Sequence, residues 1–212
     1  MSKKASKKSS VKKKSPSKPA KKPAPKAVKR APARKPAAKT SAPKAAPSTA
    51  LRDRAIGLAK FAHGVTTKFA NGFTEAQYTA QPVGCKNHLL WTLGHLSATA
   101  SWLGTLVDGK PHTVPATYEK LFGYNSQPVA DATAYPPFAE VRKAFDDSFD
   151  RLIASASALD DASLSQPCTA DTSGFCSDKL DAVQKCGWHE GWHVGQLADL
   201  RRELGLPSAF AS

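Results

Sequence analysis

His189 and His193 stand four residues apart in the run Gly187-Trp188-His189-Glu190-Gly191-Trp192-His193-Val194-Gly195-Gln196-Leu197. On a helix this spacing puts both imidazoles on one face about one turn apart, within reach of a single metal ion. From His193, steps of four, three and four reach Leu197, Leu200 and Leu204. Steps back from His189 by three and then four reach Cys186 and Ala182. This apolar stripe at helical period turns the histidines into the core rather than into water. Buried imidazoles need polar partners: a metal satisfies both at once, or other core polar groups bond each ring. We read them as a ligand pair.

Two ligands rarely hold a metal tightly, so a third is expected elsewhere. His88 and His95 lie seven apart, two turns along one helix face and roughly 10 Å in rise, too far for one ion to take both. His95 sits mid-helix in Leu93-Gly94-His95-Leu96, where Gly94 lets a neighbouring element come close. His88 falls in the first turn, where a solvated or capping role is expected. Bundle cores build metal sites from facing helices, so His95, His189 and His193 are the expected ligands. Three histidines with an open position is the catalytic arrangement for zinc. The run His189-Glu190-Gly191-Trp192-His193 also matches HExxH, the zinc-peptidase signature. No second Gly and His follow at the metzincin offsets, and the only Glu downstream is Glu203, ten residues on in the same helix. Glu190 is a candidate general base beside a metal-bound water or thiol, with a solvated helix-face carboxylate as the plainer reading.

The elements that must carry these residues read as an all-α four-helix bundle. The first helix spans about Leu51 to Phe69, with Leu51, Ala55, Leu58, Ala62, Val65 and Phe69 as its inward stripe, and ends at Asn71-Gly72. Thr74-Glu75-Ala76-Gln77 matches a capping box that opens one short turn. The second helix starts near Asn87 and stops at Asp108-Gly109. Residues 109–136 read as a long Pro-containing loop of the kind that lies over a site or an interface. The third helix begins at Pro137. Ser177 is the expected cap of the fourth, which ends at Gly205 before Pro207. Trp188 and Trp192 read as core or dimer interface ahead of a stacking pocket. Arg201 and Arg202 favour the last helix's dipole, or hold a substrate carboxylate. Cys85, Cys168, Cys176 and Cys186 fit neither a zinc pattern nor a disulfide scaffold and read as reduced.

Asn87-His88-Leu89-Leu90-Trp91-Thr92-Leu93-Gly94-His95-Leu96, the His189–Leu197 run and Leu200-Arg201-Arg202-Glu203-Leu204-Gly205-Leu206-Pro207 together resemble the DinB/YfiT-like metalloenzyme superfamily over residues 51–212. The resemblance implies a four-helix bundle, often dimeric, whose histidines at His95, His189 and His193 bind a divalent metal, commonly zinc or nickel. It also implies thiol-dependent transfer or isomerisation with a low-molecular-weight thiol, because characterised relatives do such chemistry. The substrate stays open, since many members have no assigned activity.

Residues 1–50 fall outside that pattern. They hold 15 Lys and 2 Arg with no Asp, Glu or aromatic residue, and eight of the chain's 16 prolines. The chain carries +14, so residues 51–212, with 14 Lys and Arg against 17 Asp and Glu, carry −3. Such a tail cannot bury enough apolar surface to order itself and reads as disordered. Its composition resembles the Lys/Ala/Pro-rich tails of linker histones. A polycation of this kind binds nucleic acid by releasing counterions, without reading sequence. The candidate contacts are Lys12, Lys13, Lys14, Lys18, Lys21, Lys22, Lys29, Arg30, Arg34 and Lys35. With no apolar leader and no membrane-length run, the expected location is cytoplasmic and nucleoid-associated. The function expected is a metal-dependent transferase or hydrolase tethered to nucleic acid. The alternative is a non-enzymatic nucleic-acid-associated protein whose bundle serves as a dimerisation or metal-binding scaffold.

Overall fold

A computed structural model describes residues 46–211; the basic residues from Lys12 to Lys35 singled out above lie outside them. Among the described residues all regular structure is helical: α1 (Ala50–Ala70), α2 (Leu89–Asp108), α3 (Thr117–Phe122), α4 (Phe138–Ser157), α5 (Asp161–Leu164) and α6 (Lys179–Glu203). The four long helices form the expected bundle. Its closest packing is α2 on α4 and α1 on α6, with α2 also meeting α6. No helix among the described residues is long and apolar enough to cross a membrane.

The ends of the helices follow local chemistry. Gly109 and Gly205 adopt left-handed φ of 73° and 67°, as the stops of α2 and α6 require. Gln77 Oε1 accepts from Thr74 N at 2.9 Å, which confirms the short capped turn before α2. His88 is the N-cap of α2 and is fully buried, with its Nδ1 accepting from Trp91 N at 3.1 Å. It caps rather than meets solvent. Asp178, not Ser177, caps α6, its Oδ1 accepting from Asp181 N at 2.8 Å. α1 is capped from outside: Asp161 of α5 accepts from Arg52 N at 2.9 Å and from Ser48 Oγ at 2.6 Å, so the bundle begins a few residues before Leu51.

Two expectations need correction. The buried residues of α1 are Ala55, Ile56, Ala59, Ala62, Thr66 and Ala70, so Ala55 and Ala62 face inward as expected, while Leu51 and Leu58 are about half exposed. The cause is close approach to α6: a Cβ on Gly187 would lie 3.1 Å from Ala59 Cα, so small residues occupy the contact and Leu58 stays outside. Residues 109–136 are not a bare loop, because α3 and a 3-10 turn at Ala132–Ala134 interrupt them. Six residues are too few to show a helical period. What anchors α3 is one pair at i, i+4, Tyr118 and Phe122, both essentially buried.

The core falls into two apolar clusters. One gathers Leu103, Leu106, Phe149, Leu152, Val183 and Cys186; the other gathers Leu89, Leu93, Leu96, Phe122, Phe145, Leu197 and Leu200. Along α6 the first ends at Cys186 and the second starts at Leu197, leaving His189, Glu190 and His193 between them. Along α2 the junction falls between Leu96 and Ala100, next to His95. The bundle therefore has a polar waist between two apolar clusters. Gly94 lets α3 close over that waist, since a Cβ there would meet the Phe122 ring at 2.4 Å. Gly94→Ala is expected to displace α3 and cost about 1–3 kcal/mol in urea unfolding, the usual penalty for overpacking; an unchanged midpoint would contradict the close approach.

Candidate metal centre

α2 delivers His95 and α6 delivers His189 and His193 to one point. His189 Nε2 lies 3.2 Å from His95 Nε2 and 3.2 Å from His193 Nε2. The ring centroids form a near-equilateral triangle with sides of 5.0, 5.0 and 4.7 Å. A tetrahedral ion bound at zinc–nitrogen lengths would have nitrogen–nitrogen edges of roughly 3.3 Å, so the spacing fits a metal. These are the three residues among those described whose ligand atoms group within 4.8 Å of one another.

The outer nitrogens set which lone pairs face inward. His95 Nδ1 donates to the Phe122 carbonyl at 2.6 Å, so its Nε2 presents a bare lone pair. Trp91 stacks on the same ring at 4.7 Å and 9°, and its indole donates to Ser126 Oγ at 2.9 Å. His193 Nδ1 donates to Gln196 Oε1 at 3.0 Å, and that oxygen also accepts from Asn87 Nδ2 at 2.9 Å. A cavity of about 290 Å³ lined by Cys85, Asn87, Gln196 and Asp199 borders this support. His189 bonds only to the other two imidazoles among the described residues.

Burial keeps all three rings uncharged. His189 is pushed down to about 3 by burial first and then by His193 and His95. His193 is pushed down to about 4, again mainly by burial, with His95 adding and Gln196 opposing. Burial lowers His95 too, against the Phe122 carbonyl. Neutral imidazole is the form that ligates a metal.

Glu190 stands apart from this group. It is buried, not solvated, and its Oε1 accepts from His63 Nδ1 at 3.1 Å. His63 Nε2 lies 3.4 Å from Asp146 Oδ1, and its ring is sandwiched between Phe145 at 4.3 Å and Phe149 at 3.9 Å. Sequence reading passed over His63, although it flanks the Ala59, Ala62 and Thr66 face; the signal was lost by setting the α1 stripe on Leu58 and Val65.

The remaining candidates disperse. Trp188 and Trp192 are 54% and 60% exposed, so they are not core; their rings lie 5.6 Å apart. Arg201 is buried and donates to the carbonyls of Phe69 and Pro207 at 3.0 and 2.8 Å, tying down the end of α1 instead of facing a pocket. Arg202 is exposed and pairs with Asp199. All four cysteines are free.

A family model described as the DinB superfamily matches residues 58–197, well over half of the chain and all three histidines. The chain belongs to the DinB superfamily. No curated protein matches it.

The depressed histidines set a pH dependence for the metal-free protein. With folded values below the ordinary 6.5 for His88, His95, His189 and His193, the unfolded chain takes up protons first as pH falls. The stability these neutral rings contribute is whole above that value and is lost progressively toward about 4 to 3. Chelator-treated protein is expected to show a lower urea midpoint at about pH 5 than at about pH 7.5, with a smaller drop in His189→Phe. A midpoint that does not move would contradict burial of neutral imidazoles.

Proposed function

We propose that this DinB superfamily member is a metal-dependent transferase or hydrolase acting on a small molecule, with zinc or nickel held by His95, His189 and His193. The observation that carries the reading is the meeting of three imidazoles, with His189 Nε2 at 3.2 Å from the Nε2 atoms of both His95 and His193, each ring neutral and two of them locked by an outer hydrogen bond. A divalent ion in such a set keeps a position open and lowers the pKa of a bound water or thiol toward neutrality. The chain's own part is to orient. Phe122 and Trp91 fix the His95 ring, Gln196 and Asn87 fix His193, and the two apolar clusters flank the waist. A low-molecular-weight thiol suits this chemistry as co-substrate, in line with the thiol-dependent relatives that the sequence resembles.

A peptidase suits the site less well, because Glu190 is turned to His63 and no strand is present among the described residues to align a peptide. Two partners complete the proposal. The exposed apolar side chains Leu58, Phe61, Trp188 and Trp192 on α1 and α6 support a homodimer. Residues 1–50, with 17 cations and no anion, support non-specific attachment to nucleic acid and hence a nucleoid-associated place in the cytoplasm.

Full-length protein loaded with zinc or nickel, screened for thiol transfer and small-ester or amide hydrolysis, is expected to turn over and to lose turnover in a folded His193→Ala variant. Turnover unchanged by that substitution would contradict the assignment. Metal binding with no turnover would favour the scaffold reading. In the same preparations, deleting residues 1–45 is expected to abolish duplex DNA binding whose logarithm falls linearly with log salt; retained binding would remove the tether.

A further inference from the structure

The pairing of His63 with Glu190 has no part in the metal chemistry above, yet it is buried beside it. Glu190 is 2% exposed, follows His189 directly and precedes His193 by three residues. Its Oε1 has one donor, His63 Nδ1, and its Oε2 has no partner among the described residues. A carboxylate buried with half its hydrogen bonding unmet is costly, and apolar residues of similar size at such a pair commonly match or exceed its stability. The pair therefore needs a role other than adding stability.

Geometry supplies one. Successive residues on a helix differ by about 100° around the axis, so Glu190 faces α1 and α4 while His189 faces α2. His63 is itself immobilised: Phe145 and Phe149 clamp its ring, and Nε2 faces Asp146 of α4 at 3.4 Å. A fixed donor on α1 that holds a carboxylate on α6 fixes the roll of α6 about its own axis. Roll matters for the ligands. A rotation of about 20° would carry a side-chain tip some 6 Å from the axis by roughly 2 Å, whereas metal–ligand distances tolerate only about 0.2 Å. Of the three ligands, His189 alone lacks a hydrogen bond from its outer nitrogen. Its placement rests on the helix that carries it.

We propose that His63 is a positioning residue of the three-histidine centre: by anchoring Glu190 it sets the roll of α6 and so aims His189 at His95 and His193. The proposal rests on the metal reading above. The pair is bonded about a quarter turn around α6 from the two ligands that this helix carries.

Cobalt(II) titration of the full-length protein tests it, with the visible ligand-field spectrum, the affinity by chelator competition and the thermal unfolding of metal-free protein as readouts. The informative variant is the double substitution His63→Phe with Glu190→Leu, which keeps the ring sandwich and removes both polar groups. It is expected to unfold at or above the wild-type temperature, yet to bind cobalt about 10- to 100-fold more weakly with an altered spectrum. His63→Asn, which keeps a donor near the Nδ1 position, is expected to retain more of the wild-type affinity and spectrum than the double variant. Wild-type affinity and spectrum in the double variant would overturn the positioning role alone. A lowered unfolding temperature in that variant would assign the pair to stability and overturn it as well. No cobalt spectrum in the wild type would overturn the metal reading, and this proposal with it.

Discussion

The burial of polar side chains at the waist of the bundle is the constraint on which the rest of the structure depends. Between two apolar clusters lie five groups that water would otherwise solvate: His63, His95, His189, Glu190 and His193. An unpartnered polar group in such a place costs several times what an average hydrogen bond contributes. Every neighbouring choice can be read as a response to that cost. His95, His189 and His193 shed their charge, the outer nitrogens of His95 and His193 find carbonyl acceptors, and the inner nitrogens of the three converge on one another. The lone pairs of His95 and His193 converge on His189 Nε2, an arrangement that a bound ion would complete.

The elements that answer the constraint are spread along the chain. α3 contributes one backbone carbonyl, and it reaches His95 only because Gly94 has no side chain and Phe122 can lie on it. The first turn of α2 contributes Trp91, which stacks on His95, and the residue before its N-cap, Asn87, acts on His193 through Gln196. α1 comes near enough to hold Glu190 because its contact with α6 is built from Ala59 and Gly187. Small residues set the helix spacing, the spacing sets which polar groups meet, and the meeting defines the site.

Much of this was legible in the residues. The α6 stripe repeats at helical period over several turns, and a stripe of that length carries its own register, so His189 and His193 could be turned inward with no structure at hand. The same holds for His95 within the apolar α2. What escaped was short or made of small side chains. α3 has six residues and rests on two aromatic anchors. The expected α1 stripe shares Ala55 and Ala62 with the observed face but takes Leu58, Val65 and Phe69 in place of Ala59, Thr66 and Ala70, because large apolar residues outweigh alanines on any hydrophobicity scale, although tight packing against α6 favours the alanines. That slip also hid His63, and with it the reason Glu190 is not a solvated carboxylate. Arg201 escaped differently: sequence showed a cation near a helix end, but not that the carbonyls it serves belong to α1.

The central claim is that His95, His189 and His193 are one metal site. The direct test is elemental analysis by plasma mass spectrometry of the full-length protein, purified without chelators, beside His95→Ala and His189→Ala. The account predicts about one zinc or nickel ion per chain in the wild type and loss of it in both variants, since the site has no ligand to spare. No metal in the wild type, even after reconstitution, would contradict it and leave the polar waist as a hydrogen-bonded core feature.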